Sequence, residues 1–241
     1  VDDALMKITH VVRGFTDANV THVHGKVDPK DDIEVIEYEL ILSDQASVEK
    51  RLATIAGKVK AGVAGKATEE YAALLQRLLD NFNKGIPARK VAMTDDEKLL
   101  LKDLSLLTIK PVLYVVNVGD VDSFDISTYQ HINISPLPIN AKIEAELAEL
   151  SEDDAKLYMK ELGMAQSGLD KLIKAGYALL GLMTFFTTGP DETRAWTIHV
   201  GTKAPQAAGV IHTDFEKNFI RLEVASYADY IAHGGEAALK Q

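Results

Sequence analysis

The sequence predicts an α/β protein built on a parallel sheet, interrupted by an inserted antiparallel helical hairpin and followed by a small mixed α and β module. Three observations carry this. Lys110 to Asp120, KPVLYVVNVGD, holds the unbroken apolar run Val112 to Val116, the texture of a strand buried on both faces, and then turns polar. Residues 44 to 106 place apolar residues at helical spacing, with Val48, Leu52, Ile55 and Val59 in the 4-3-4 pattern of a two-helix coiled coil. From Leu182 onward, β-branched and aromatic runs punctuated by Gly and Pro replace that periodicity.

Composition sets the outer limits. With 241 residues, 46% hydrophobic and 26% charged, the chain has enough apolar material for more than one module. It has no apolar run of the roughly 18 residues that span a bilayer and no charged-then-apolar leader, so a cytoplasmic protein with no membrane partner is expected. The absence of cysteine excludes disulfides and thiolate metal sites. A net charge of -10 excludes a uniformly basic nucleic-acid binder and leaves room for a local basic patch.

In chain order, Ile8 to Phe15 reads as a second parallel strand ending in charge and glycine. His22 and His24 would share one face of an extended segment; with no third ligand evident, a solvated loop is the default and no metal site is assigned. Asp28 to Asp32 reads as a helix start with acidic residues at the positive end of the dipole, followed by an expected buried stripe of Ile33, Ile36 and Leu40. The acids of this helix read as a capped, solvated face and not as a carboxylate site. Tyr71, Leu74, Leu75, Leu78, Leu79 and Phe82 form a returning stripe that Asn83 to Pro87 breaks. At the hairpin tip, Lys58, Lys60 and Lys66 stand with no acid between them; phosphate-backbone contact and a solvated turn are equally open. Thr94 to Glu97 resembles a capping box, with Leu99, Leu100, Leu101, Leu104 and Leu107 as the apolar side of its helix.

His131 to Ile139 is expected to be a further strand, followed by the polar turn Asn140-Ala141-Lys142. Ligands of open α/β sheets sit outside the carboxyl ends of the strands, so this turn and Asn117, Val118 and Asp120 are predicted to share one site. Helices are expected over Ile143 to Leu150 and Glu152 to Leu162. Leu169, Leu172, Ile173 and Leu180 are expected on the sheet-facing side of a third helix, with Gly176 permitting close approach. Thr184 to Thr188 and Arg194 to Val200 read as a hairpin about Gly189-Pro190, followed by a short helix near Ala204 to Ala208 and a strand over Phe219 to Ser226. Trp196 reads as core, and His212-Thr213-Asp214 as a helix cap.

Several of these stretches together resemble the YchF/Obg-like ATPase family of translation-associated P-loop NTPases. They are HVVRGF at His10 to Phe15, GKVDP at Gly25 to Pro29, DIE at Asp32 to Glu34, VEKRL at Val48 to Leu52, KPVLYVVN from Lys110, AKIEAELAEL at Ala141 to Leu150, and RAWTI from Arg194. GTKAPQAAGVIHTDF, Gly201 to Phe215, is the most specific. The resemblance implies a nucleotide-binding domain in two parts, 1–43 and 107–181, split by the hairpin insertion 44–106 and followed by a β-grasp TGS domain, 182–241. It implies ATP, alternatively GTP, with Mg2+, hydrolysis, association with ribosomes or RNA, and a monomer. It also implies base recognition by Asn117 to Asp120 and Asn140 to Lys142, where an Asn amide bridges loops or touches the purine and the Ala141 N–H meets a base carbonyl.

Departures from the family pattern qualify this. No GxxxxGK[ST] occurs in these 241 residues, so phosphate and magnesium ligands are assigned to none of them, and the chain by itself is expected not to hydrolyse ATP. Val1-Asp2 reads either as a remnant of a family VDxAG strand or as a simple start, His24 stands where relatives tend to have Glu, and the chain ends before the last strands expected of a TGS module. Two functions follow: an ATPase whose phosphate-binding half lies outside this sequence, or a non-catalytic ribosome or RNA-binding fragment acting through the hairpin tip and TGS surface.

Overall fold

In the computed structural model, residues 7–16, 27–60, 65–121, 124–127, 129, 134–189 and 191–235 are described. The chain divides into two compact units, Val1–Leu180 and Gly181–Gln241.

Among the described residues the first unit is built on three parallel strands, β1 (Ile8–Arg13), β2 (Val112–Asn117) and β3 (Leu137–Ile139), in the order β1-β2-β3. Ile8 pairs with Val112 and Arg13 with Asn117; Val115 to Asn117 pair with Leu137 to Ile139. As the central strand, β2 buries Tyr114, Val115 and Val116, in keeping with its continuous apolar run. The strand expected over His131 to Ile139 is shorter than predicted: 131–133 lie outside the described residues, Ile134 to Pro136 are irregular, and only three residues pair.

Helix α1 (Pro29–Lys60) starts where Asp28 accepts the Asp31 N–H at 3.3 Å, and it continues for 32 residues. The boundary expected at 43/44 therefore falls inside an unbroken helix. Its buried side is not Ile33, Ile36 and Leu40. Ile33 is 1% exposed, but Ile36 is exposed, and the stripe continues through Ile41, Asp44, Val48 and Ile55, spacings of 3, 4 and 7 that hold one face over about four turns.

Helix α2 (Lys66–Phe82) buries Leu74, Leu75, Leu78 and Phe82 against that stripe. The pair is antiparallel: Gln45 donates to Asn83 at 3.3 Å, while Arg51, further up α1, donates to Tyr71, further back on α2, at 3.4 Å. Gly85, with φ of 72°, closes the turn after α2 in a conformation that disfavours other residues. A 3-10 turn at Ala88–Lys90 follows. Helix α3 (Asp95–Leu100) opens with the full capping box: the Glu97 N–H donates to Thr94 Oγ1 and the Thr94 N–H to Glu97 Oε2. Its leucines do not form the expected apolar side. Leu99 is 68% exposed and Leu100 is also exposed, because the helix ends at once and a second 3-10 turn, Lys102–Leu104, follows; Leu101 and Leu106 are buried in the core and Leu104 packs against it.

Helices α4 (Ala141–Ala148), α5 (Glu152–Glu161) and α6 (Gly168–Leu180) complete the unit. On α6, Leu169 and Ile173 are exposed and the inward face runs through Gly168, Leu172, Ala175 and Leu179, a correction to the predicted stripe. Close approach occurs at Gly168, where a Cβ would lie 3.0 Å from Ile139 Cγ2, and not at Gly176, where it would meet open space.

The second unit holds an antiparallel pair, β4 (Leu182–Thr188) and β5 (Thr193–His199), with α7 (Ala204–Ile211), α8 (Thr213–Lys217) and α9 (Tyr227–His233). His212 caps α8, its Nδ1 accepting the Asp214 N–H at 3.2 Å. Trp196 is half-buried, with Arg194 4.5 Å over its ring and its N–H on Thr187. Phe219 to Ser226 is not a strand: among the described residues it pairs with nothing, and extended backbone without a ladder partner does not form a sheet.

Candidate functional site

The ends of β2 and β3 meet through reciprocal side-chain to backbone bonds. Asn117, the last residue of β2, accepts the Ala141 N–H on its Oδ1 at 3.1 Å. Asn140, just beyond β3, donates from Nδ2 to the Gly119 carbonyl at 2.7 Å. The same Asn140 caps α4, its Oδ1 accepting the N–H groups of Lys142 and Ile143, both at 3.1 Å. Buried Val118 donates its N–H to the Ile139 carbonyl at 2.8 Å. Each loop is thus held by the other, and both are set by strand register.

The neighbouring end of β1 is held as closely. The Gly14 N–H donates to the Asn117 carbonyl at 2.7 Å, and a Cβ on Gly14 would lie 2.5 Å from Val116 Cγ1. Only glycine allows this approach. Arg13 donates to the Phe15 carbonyl at 3.0 Å and stacks its guanidinium over the Phe15 ring.

Between these turns and the start of α1 lies a cleft of about 430 Å³, lined by Gly14 to Thr16, Pro29, Val118 to Asp120, Phe124, Asp125 and Tyr129. Phe124 and Tyr129 stack with ring centroids 5.5 Å apart. Burial pushes the Tyr129 hydroxyl above its usual range, with Asp28 adding to the effect. A cleft of this size with flat apolar rings, backbone groups and a few carboxylates suits a planar heteroaromatic ligand.

The predicted site residues divide into two sets. Val118 and Asp120 line the cleft; Asn117, Asn140, Ala141 and Lys142 do not. The Ala141 N–H donates to Asn117 Oδ1, a bridge between the two loops. Phe15, Phe124 and Tyr129 were not singled out from sequence; Phe15 lies two residues past β1 as Gly119 lies two past β2, and adjacent parallel strand ends were the signal available for it. Lys66 opens α2 beside Glu70 at 3.8 Å; the side chains of Lys58 and Lys60, with His22 and His24, lie outside the described residues.

Parallel strands whose carboxyl ends carry cross-bonded polar turns over an aromatic-lined cleft define an α/β protein of the ligand-binding, open-sheet class. Residues 182–241 match the family YchF-GTPase_C, described as a protein of unknown function (DUF933). The chain is 46% identical over 244 aligned positions to the "Ribosome-binding ATPase YchF" of Bacillus subtilis strain 168, and 42% identical over 242 to the protein of that name from Escherichia coli O157:H7. Each alignment covers 97% of this chain and 66% of the relative. The solved structure of the Schizosaccharomyces pombe YchF GTPase superposes with a TM-score of 0.80 at 36% identity, covering 97% of this chain and 66% of that one. The chain belongs to the YchF family and spans 66% of the length of these relatives.

Proposed function

We propose that the cleft at the ends of β1 and β2 binds the base of a nucleotide, and that the protein acts as an ATP-binding, alternatively GTP-binding, hydrolase of the YchF/Obg-like family that associates with ribosomes in translation or stress regulation. The observation that carries this is the reciprocal bonding of Asn117 and Asn140 across two strand ends, which fixes Val118 and Asp120 at the cleft wall before any ligand arrives. Relatives named as ribosome-binding ATPases support the wider activity. Residues 1–43 and 107–181 are assigned to the nucleotide-binding domain, 44–106 to the coiled-coil hairpin and 182–241 to a TGS module. Mg2+ would accompany the nucleotide, but no residue of this chain is assigned to it.

In this reading Asn117, Asn140, Ala141 and the Lys142 backbone are the frame, while Val118 and Asp120 meet the base. An Asp carboxylate accepts from guanine N1 and N2 but finds no N1 donor on adenine. A well-aimed charged hydrogen bond is worth about 1.5–3 kcal/mol, so Asp120 weakens adenine selectivity. Calorimetric titration of adenosine and guanosine tests both parts. Both are expected to bind, and Asn117→Ala to weaken both alike; failure of both to bind would sink the nucleotide reading, and strong adenosine selectivity that does not rise in Asp120→Glu would show that Asp120 does not read the base.

A second reading, a non-catalytic ribosome or RNA-binding module, is favoured by the lack of GxxxxGK[ST] in the 241 residues. It predicts that replacing Lys58, Lys60 and Lys66 by Glu abolishes co-sedimentation with ribosomes and that rising salt weakens the unmodified protein. Under either reading the 241 residues by themselves are expected to release no phosphate above a mock preparation.

A further inference from the structure

The hairpin joins the sheet layer at two places. At the first, Asp44 of α1, 3% exposed, accepts the N–H groups of Leu107 at 2.8 Å and Thr108 at 2.7 Å and the Thr108 hydroxyl at 2.6 Å. Thr108 Oγ1 in turn accepts the Ala88 N–H at 3.0 Å. Every polar atom here is enclosed and paired. At the second, two helical turns nearer the amino end of α1, Glu37 takes the Arg89 guanidinium on one carboxylate oxygen and the Tyr114 hydroxyl, at 2.8 Å, on the other. Arg89 also donates to the Tyr114 hydroxyl at 3.2 Å and to the Thr108 carbonyl at 3.3 Å. This second joint is half-buried. It borders a cleft of about 500 Å³ beneath α1 that would admit movement of the helix.

We propose that Glu37, Arg89 and Tyr114 are positioning residues that latch the hairpin at a fixed angle to the sheet, with Asp44 as the pivot, so that the cleft at one end of α1 and the hairpin tip at the other sense each other. The tip-to-cleft coupling rests on the nucleotide reading; the latch does not.

The geometry is that of a lever. Pro29, the first residue of α1, lines the nucleotide cleft, and Ile33, one turn on, packs in the cluster that holds Tyr129, Tyr114 and Val118. From Glu37 to the pivot is about 10 Å, and from the pivot to Lys60 about 24 Å, so a shift of about 1 Å at Glu37 becomes about 2 Å at the tip. Tyr114 lies three residues before Asn117 on the same strand, and so ties the latch to the strand that presents the base-facing turn. The ionic part suits a latch more than a clamp, because removing one partner of a half-buried charge network leaves the others in need of water that the adjoining cleft can supply.

The absence of cysteine permits a direct test. Spin labels on Glu70→Cys, on α2, and Glu149→Cys, at the end of α4, report hairpin angle as a distance distribution. One narrow distribution is expected in the parent. Tyr114→Phe and Arg89→Lys are each expected to broaden it and move its mean by about 2 Å or more. An unchanged mean and width in both variants overturns the latch, as does broadening that appears only together with loss of helical ellipticity. Saturating nucleoside, with binding read separately by calorimetry, is expected to shift the parent distribution and not that of Tyr114→Phe. Binding without any shift overturns the coupling. If neither nucleoside binds while the two variants still broaden the distribution, the nucleotide reading falls and the latch stands.

Discussion

Leu75, Leu78 and Phe82 of the hairpin are among the most enclosed side chains of the molecule, whereas Ile220 and Val224 of the carboxyl-terminal unit stand 90% and 81% exposed. Apolar content does not separate the two regions. In the hairpin, α1 and α2 each supply the surface that the other needs, and Leu101 and Leu106 close the open end. In the carboxyl-terminal unit a two-stranded sheet is backed by short helices, and no side chain among its described residues is buried. A hairpin of strands is marginal until a third strand or a covering layer arrives, so this region holds together by local contacts such as the Phe186–Tyr227 ring pair and the Trp196–Thr187 bond. Burial follows from having a second surface.

Paired truncations give the largest expected contrast. Leu78→Ala should cost about 2–5 kcal/mol in urea unfolding, as cavity-forming substitutions do, while Ile220→Ala should change stability by less than about 0.5 kcal/mol. Equal effects would erase the distinction between the regions. Asp44→Ala comes next: it leaves two N–H groups and the Thr108 hydroxyl without their acceptor, a loss of about 2–4 kcal/mol, whereas Asp229→Ala, which removes the acceptor of the exposed Ser226 hydroxyl at the start of α9, should cost about 1 kcal/mol or less. Gly14→Ala forces a methyl against buried Val116 and should cost about 1–3 kcal/mol while distorting the cleft, so nucleoside affinity should fall with stability.

A pH effect in the first unit is the smallest. Burial lowers the pKa of His10, opposed by the nearby Glu37 and Asp32 carboxylates; its ring faces Tyr114 at 5.8 Å. A histidine whose folded pKa lies below its unfolded value binds its proton more readily when unfolded. Its contribution is therefore fully present above the unfolded value near 6.5 and is lost as pH falls below it. The urea midpoint should decline from pH 7.5 to 5.5, and His10→Gln should flatten that decline.

The sheet was legible because β2 announces itself: five consecutive apolar residues ending in Asn-Val-Gly-Asp leave little alternative to a central strand with a polar end. The α2 stripe and the Thr94 cap were legible for the same reason, each being written in neighbouring residues. Distant partners were not. Nothing local to Glu37 says that it will meet Arg89 and Tyr114, so a helix-face acid became part of a half-buried network. Phe219 to Ser226 has strand composition, yet composition supplies no partner strand. At the site, the strand ends and both asparagines were readable, but the aromatic wall was not, because no sequence periodicity marks Phe124 and Tyr129 as facing the cleft.

Helix α1 carries residues of two cores without a break, Ile33 in one and Val48 in the other. That continuity constrains how the family's sequences can vary in length. A single residue gained or lost between Ile41 and Val48 would rotate everything beyond it by about 100° and slide it by about 1.5 Å, turning the α2-facing stripe towards solvent. The return path, from Ser105 to Pro111, is irregular and would absorb the same change locally. Insertions and deletions should therefore be phase-locked on the outward limb and free on the return.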